Sequence, residues 1–230
     1  MKKLTLIACA VFLLAACNDS KSGKKPAMKT AKDSFSYAFG AYSGSMLHNF
    51  KINEIDWDLF KAALEEGLKN GDSALAIDRE TIGKVLQNYT VEAQFGANRV
   101  KGAEYIAKQK SNGYTTTASG LLFKQIKAGS GVKPNITDTV LVHYTGKFVD
   151  GKIFDSNDGK EAFKTSLNGG AVQGFLEALR MMEVGSTAEV IIPWNLGYGS
   201  EGMRNPYTGE MSIEPFTALI FTVTLDSIKN

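Results

Sequence analysis

Cysteine and histidine are scarce in this 230-residue chain, which carries only Cys9, Cys17, His48 and His143. Both cysteines fall in the leading segment, so the rest holds neither a disulfide framework nor a CxxC redox or zinc motif. Two histidines are too few for a metal centre built on imidazole. Charge of one sign is not in excess either, with 26 Lys and Arg against 24 Asp and Glu. If Lys2 and Lys3 belong to a removable leader, the remainder is balanced and has no basic surplus with which to neutralise phosphates. Nucleic acid is therefore not an expected partner. No activated nucleophile, metal cluster or phosphate loop is evident, and no cofactor is expected.

The leader itself reads as an address. Met1-Lys2-Lys3 precedes an apolar run from Leu4 to Ala16. Crossing a bilayer takes roughly 20 apolar residues, so residues 1–16 fit an export signal. Leu14-Ala15-Ala16-Cys17 matches the bacterial lipobox; an ordinary signal that happens to end in cysteine is the alternative. Residues 17–32 contain Ser, Lys, Asp, Gly and one Pro with almost nothing to bury, the composition of a tether.

Residues 33–113 carry a helical period. Phe35, Phe39, Tyr42 and Met46 form one stripe. Asp56 is placed to cap a helix bearing Trp57, Phe60, Leu64 and Leu68, closed by Asn70-Gly71. Asp78 caps a third, with Ile82, Val85, Leu86 and Tyr89 on one face. From Ala93 to Lys110 large apolar residues thin out to Phe95, Val100, Tyr105 and Ile106, which suggests a long helix with little core to cover. Continuous from Arg79, it would extend about 48 Å at 1.5 Å per residue. Gly83, Gly96 and Gly102 interrupt it, each at a cost of up to about 1 kcal/mol relative to Ala. Stripes of this kind do not make a self-sufficient core of about 80 residues. A second copy of the chain would cover them; packing as a helical cap on the rest of the protein is the other solution.

After Asn112-Gly113 the period switches to two. Leu121–Ile126, Val140–Tyr144 and Val190–Ile192 read as strands. Leu219, Phe221, Val223 and Leu225 alternate with Ile220, Thr222, Thr224 and Asp226, which predicts one buried and one mostly wet face. A short helix at Phe175–Glu183 turns Phe175, Leu176, Leu179 and Met182 inward and ends at Gly185. The class is α+β: an antiparallel sheet around a short helix over residues 114–230, preceded by an all-α segment.

Five motifs in the second half gather aromatic rings and one carboxylate. They are Val142-His143-Tyr144-Thr145-Gly146, Phe154-Asp155-Ser156, Val172-Gln173-Gly174-Phe175, Leu196-Gly197-Tyr198-Gly199 and Ala218-Leu219-Ile220-Phe221. In this order, over Thr115 to Ile228, the chain resembles the FKBP-type peptidyl-prolyl cis-trans isomerases. Ser36-Tyr37-Ala38-Phe39-Gly40 and Ser119-Gly120-Leu121 extend the likeness to the macrophage infectivity potentiator class, FKBP lipoproteins with an amino-terminal dimerisation domain.

That resemblance implies a site and a setting. Phe175 would be the floor of an apolar pocket, where most of the family has Trp, with Tyr144, Phe154, Phe163 and Phe221 as walls. Val172 would offer backbone groups to the substrate, with Ala171 beside it, and Ile213 would lie on the opposite rim. Tyr198 would donate its hydroxyl to a substrate carbonyl. Asp155 would orient Tyr144 or face the rotating amide, without acting as a general base. His143 alternates away from Tyr144 and is expected to be structural or exposed. The implied activity is isomerisation of X-Pro bonds in unfolded or partly folded exported proteins. A pocket that grips proline segments with weak turnover is the alternative, since Phe175 replaces Trp and the 202–214 loop is long. Cys17 would carry the lipid, anchoring a homodimer in the bacterial envelope, at the outer membrane facing the periplasm.

Overall fold

The computed structural model describes residues 26–71, 75–129 and 131–229; Cys17 and the export signal lie outside the described residues. The chain parts into two compact units between Ser45 and Met46. Helix α1 (Ala31–Asn49) makes up most of the described part of the first and runs across the boundary; on it Phe35 and Phe39 stack at 6.1 Å and Phe35, Phe39, Tyr42 and Met46 are exposed.

The second unit takes in the last turn of α1 and continues with α2 (Trp57–Asn70) and α3 (Arg79–Gln109). Both start where Asp side chains accept otherwise unpaired amides: Leu59 N donates to Asp56 at 2.9 Å and Thr81 N to Asp78 at 2.8 Å. Gly71, at φ 58°, ends α2. Helix α3 runs without a break through all three of its glycines.

An antiparallel sheet follows, built from β1 (Thr115–Thr116), β2 (Leu122–Lys127), β3 (Thr139–Phe148), β4 (Ile153–Ser156), β5 (Phe163–Ser166), β6 (Thr187–Ile192) and β9 (Leu219–Lys229). Its order is β1-β2-β6-β9-β3-β4. The first half of β3 pairs with β5 and the second half with β4, so the long strand β3 bends the sheet around a concave face. Strands β7 (Met203–Arg204) and β8 (Met211–Ile213) form a separate hairpin. Helix α4 (Gln173–Met181) lies in the concavity and buries Phe175, Leu176, Ala178 and Leu179. It packs against Val140, Val142, Val190, Leu219, Val223 and Leu225, all fully buried. Each such aliphatic side chain contributes about 1.5–3 kcal/mol relative to exposure. Over Leu219–Leu225 the alternation in β9 faces the odd-numbered residues to this core, as its period predicts; past the bulge opposite Leu141 and Val142 the phase shifts and Ile228 packs on it.

The opposite face is not simply wet. Leu122, Ile191 and Ile220, one each from β2, β6 and β9, make a second buried cluster covered by Tyr105 and Ile106 of α3 and by Tyr114. The carboxy-terminal half of α3 therefore has a core of its own to cover, against the sequence expectation. Gly102 permits the approach, since a Cβ there would come within 2.9 Å of the Ala218 Cβ. An alternating strand marks which residues share a face, but it does not reveal that a distant helix covers the second one.

Candidate active site

Tyr144 stands near the middle of β3, paired with Val223, and two residues on Gly146 pairs with both Phe221 and Asp155. This register carries Tyr144, Phe221, Phe154 and Asp155 to one end of the concavity. Gly146 leaves the room they need: a Cβ there would lie 2.6 Å from Phe154 and 2.9 Å from Phe221. Phe175, from the first turn of α4, closes the base. Its ring centroid lies 5.7 Å from that of Tyr144 and 5.1 Å from that of Phe221, both edge-on. Phe154 meets Phe221 at 5.5 Å, and Phe163 meets Tyr144 at 5.8 Å. Such edge-to-face pairs add about 0.5–1.5 kcal/mol each beyond their buried area.

The rings line a hollow of about 230 Å³ together with Asp155, Gly170, Ala171, Val172 and Tyr198. Larger hollows of about 400 and 380 Å³ flank α3, but no aromatic cluster with a carboxylate converges on them. Convergence of side chains, rather than size, picks out the smaller one.

Four polar groups edge the hollow: the Tyr144 and Tyr198 hydroxyls, the Asp155 carboxylate and the Val172 N–H. Tyr144 Oη donates to Asp155 Oδ2 at 2.6 Å. Tyr198 Oη makes no hydrogen bond among the described residues, so its hydrogen is available to a guest. Burial, then the Asp155 bond and charge, holds the Tyr144 phenol above the ordinary tyrosine range; burial, then the Asp155 charge, does the same for Tyr198. Both are therefore neutral hydroxyls at ordinary pH. Val172 is the N-cap of α4, and its carbonyl accepts from Phe175 and Leu176 in the first turn. Its N–H makes no hydrogen bond among the described residues, which leaves this donor, and not the carbonyl, for a guest.

Nine of the ten pocket residues expected from the sequence line this hollow. Ile213 does not. It is fully buried in β8 within the main core, because the β7–β8 hairpin turns it inward. Asn157 is not among the residues that the resemblance implies, yet its Oδ1 accepts from Tyr144 N at 2.7 Å, and its Nδ2 donates to Val142 O and Glu161 O at 3.0 and 3.1 Å. This one amide ties the loop after β4 to the strand bearing Tyr144. The signal was present, since an Asn two residues past Asp155 is suited to bonding backbone. His143 points away, as its alternation indicated, with Nδ1 2.6 Å from Asp226 Oδ2 and Nε2 3.1 Å from Lys160 O.

No side chain in this cluster is placed as a nucleophile paired with a base. What the site offers is apolar enclosure, two open donors and a carboxylate at the edge.

Residues 130–226 match the family of FKBP-type peptidyl-prolyl cis-trans isomerases, and residues 32–124 match the domain amino terminal to FKBP-type peptidyl-prolyl isomerase. The chain is 33% identical over 241 residues to outer membrane protein MIP of Legionella longbeachae, covering 99% of this chain and 98% of that protein. It is also 33% identical over 208 residues to the FKBP-type 22 kDa peptidyl-prolyl cis-trans isomerase of Escherichia coli K12, covering 87% and 97% respectively. Among solved structures, FkpA from Escherichia coli superposes with a TM-score of 0.53 at 27% identity, over 88% of this chain and 99% of that one.

Proposed function

The chain belongs to the FKBP-type peptidyl-prolyl cis-trans isomerases and is such an isomerase; on that premise we propose how its residues catalyse the reaction, and where. The X-Pro bond must pass a rotational barrier of about 18–20 kcal/mol that arises from amide resonance, although its two isomers differ by only about 0.5–1 kcal/mol. Lowering the barrier requires neither proton transfer nor a covalent bond. It requires tighter binding of the twisted amide than of either planar form.

In this reading the prolyl ring rests on Phe175 between Tyr144, Phe154, Phe163 and Phe221. The Val172 N–H and the Tyr198 hydroxyl hold carbonyls that flank the rotating bond. Water and hydrogen-bond donors at the amide oxygen favour the planar, charge-separated form. An apolar wall at that oxygen withdraws them, and the twisted amide, with less charge on oxygen, loses less. Asp155, at the edge, fixes Tyr144 and presents negative charge to the carbonyl carbon side without taking a proton. The observation carrying this reading is the convergence of five aromatic rings, the Tyr144–Asp155 bond and the open Tyr198 hydroxyl on one hollow. A protease-coupled assay on Xaa-Pro peptides tests it: Tyr198→Phe and Asp155→Ala each slow the catalysed rate, and unchanged rates in both reject these assignments.

The setting is proposed on separate grounds. Lipid at Cys17 anchors the chain to the envelope, where it acts on exported proteins; the lipobox and the name of the Legionella longbeachae relative support this. Pairing of two copies through α1 and α2 is supported by their exposed apolar residues, among them Phe35, Tyr42, Trp57, Leu59 and Leu68.

A further inference from the structure

Arg99 lies in the second half of α3. In the fold its guanidinium lies 4.3 Å from the ring centroid of Phe216 and 5.3 Å from that of Trp194, and the two rings meet edge-on at 5.2 Å. One terminal nitrogen donates to Glu92 at 2.6 Å. The buried Nε has no hydrogen-bond partner among the described residues, so the planar group is held by ring faces and one carboxylate. The preceding residue grips the same segment: Asn98 Nδ2 donates to Glu214 Oε2 at 2.9 Å and to Pro215 O at 3.2 Å. One turn on, Gly102 lies against Ala218.

Trp194 and Phe216 are also the two ends of the frame that presents Tyr198. Gly199 N donates to Trp194 O at 3.0 Å, and Phe216 N donates to Gly199 O at 2.9 Å. Gly202 N donates to Tyr198 O at 3.0 Å. Phe216 adopts φ 60°, a left-handed conformation that a bulky residue keeps only when its surroundings hold it there. Trp194, Arg99 and the Gly199 carbonyl are among those surroundings.

We propose that Arg99 is a positioning residue for the isomerase reaction: by clamping Trp194 and Phe216 from α3 it sets the frame that aims Tyr198 into the hollow. Docking of α3 and occupation of the hollow are then coupled, and coupling between binding equilibria acts in both directions. A proline-containing guest held by Tyr198 tightens α3 on the lobe, and loosening α3 weakens the grip on the guest. The inference rests on the assignment of Tyr198 to the substrate rim.

The test uses the full chain and an Xaa-Pro peptide at saturation. In wild type, the peptide slows amide exchange at residues 98–103 of α3 as well as at 198–202. With Trp57→Phe removing the other indole, it also shifts the emission of Trp194. Arg99→Ala lowers kcat/KM about 2- to 5-fold, the scale of a cation–ring contact on a partly exposed side chain, and abolishes the response at 98–103. Arg99→Lys keeps the charge but not the planar stack, and does not restore the rate. Unchanged exchange at 98–103 in wild type overturns the proposal, as does a wild-type rate in Arg99→Ala; the first measurement stands even if that variant fails to fold. Undiminished turnover in Tyr198→Phe instead rejects the rim assignment, whatever α3 does.

Discussion

Tyr144 donates its phenolic hydrogen to Asp155 across the β3–β4 pair, Oη to Oδ2, at 2.6 Å. Gly146, opposite Asp155, makes that diagonal contact possible by lacking a side chain that would separate the strands' rings. The bond commits the Tyr144 hydroxyl and leaves the Tyr198 hydroxyl as the open phenolic donor of the hollow. The two tyrosines therefore have different roles. Asp155→Ala is expected to lower kcat/KM about 10-fold, which corresponds to about 1.4 kcal/mol in the transition state, and Tyr144→Phe less. In a double-mutant cycle the two are non-additive by about 0.5–1.5 kcal/mol, the net worth of one hydrogen bond at an exposed carboxylate. Additive effects would mean that the bond has no part in catalysis.

Gly146→Ala tests the packing of the wall. The added methyl meets Phe154 and Phe221 well inside van der Waals distance. Relief requires displacing one of these two rings, at an overpacking cost of about 1–3 kcal/mol. Lower denaturation midpoints in urea and weakened binding of Xaa-Pro peptides are expected together. Loss of stability with peptide affinity intact would show that the rings relax away from the site.

His143 makes stability depend on pH without touching the reaction. The Lys160 carbonyl, then the Asp226 carboxylate, both acceptors, raise its folded pKa above the ordinary value. Its stabilising contribution is therefore complete below the unfolded pKa of about 6.5 and is lost as pH rises through the higher folded value. The urea midpoint should fall across that window in wild type and fall less in His143→Gln. A midpoint that rises through the same window through His143 would reverse the assigned cause.

Self-association is checked by light scattering on the lipid-free chain. The exposed stripes of α1 and α2 predict a mass about twice that of one chain. Trp57→Glu with Leu68→Glu should give the single-chain mass, because burying two carboxylates in an apolar contact is strongly unfavourable. Turnover of short peptides should persist, since neither residue lines the hollow. A wild-type monomer at micromolar concentration would contradict the pairing.

Much of the fold was legible because its signals are local. Asp56 and Asp78 mark helix starts through their own side chains, and the alternation in Leu219–Leu225 marks a strand face. The pocket rings were legible through motif resemblance, not through periodicity, which does not distinguish Phe221 as a wall from Leu219 as core. What escaped depends on partners distant in sequence. The resemblance implies Ile213 at the rim, but the β7–β8 hairpin buries it. Ile220 was read on a wet face, but α3 returns to cover it. Arg99 carries a charge that ordinarily signals solvent, and only the tertiary fold shows its flat guanidinium against two rings.

This hollow relaxes amide conjugation by apolar enclosure and fixed hydrogen-bonding groups, with no proton transfer. The most direct measurement is kcat/KM for an Xaa-Pro peptide in light and heavy water, with isomer exchange followed by NMR. Enclosure without proton transfer predicts a rate ratio near 1, because no proton is in flight in the rate-determining step. A ratio of about 2 or more, paired with a pH profile that follows a single carboxylate, would contradict it and make Asp155 a general base.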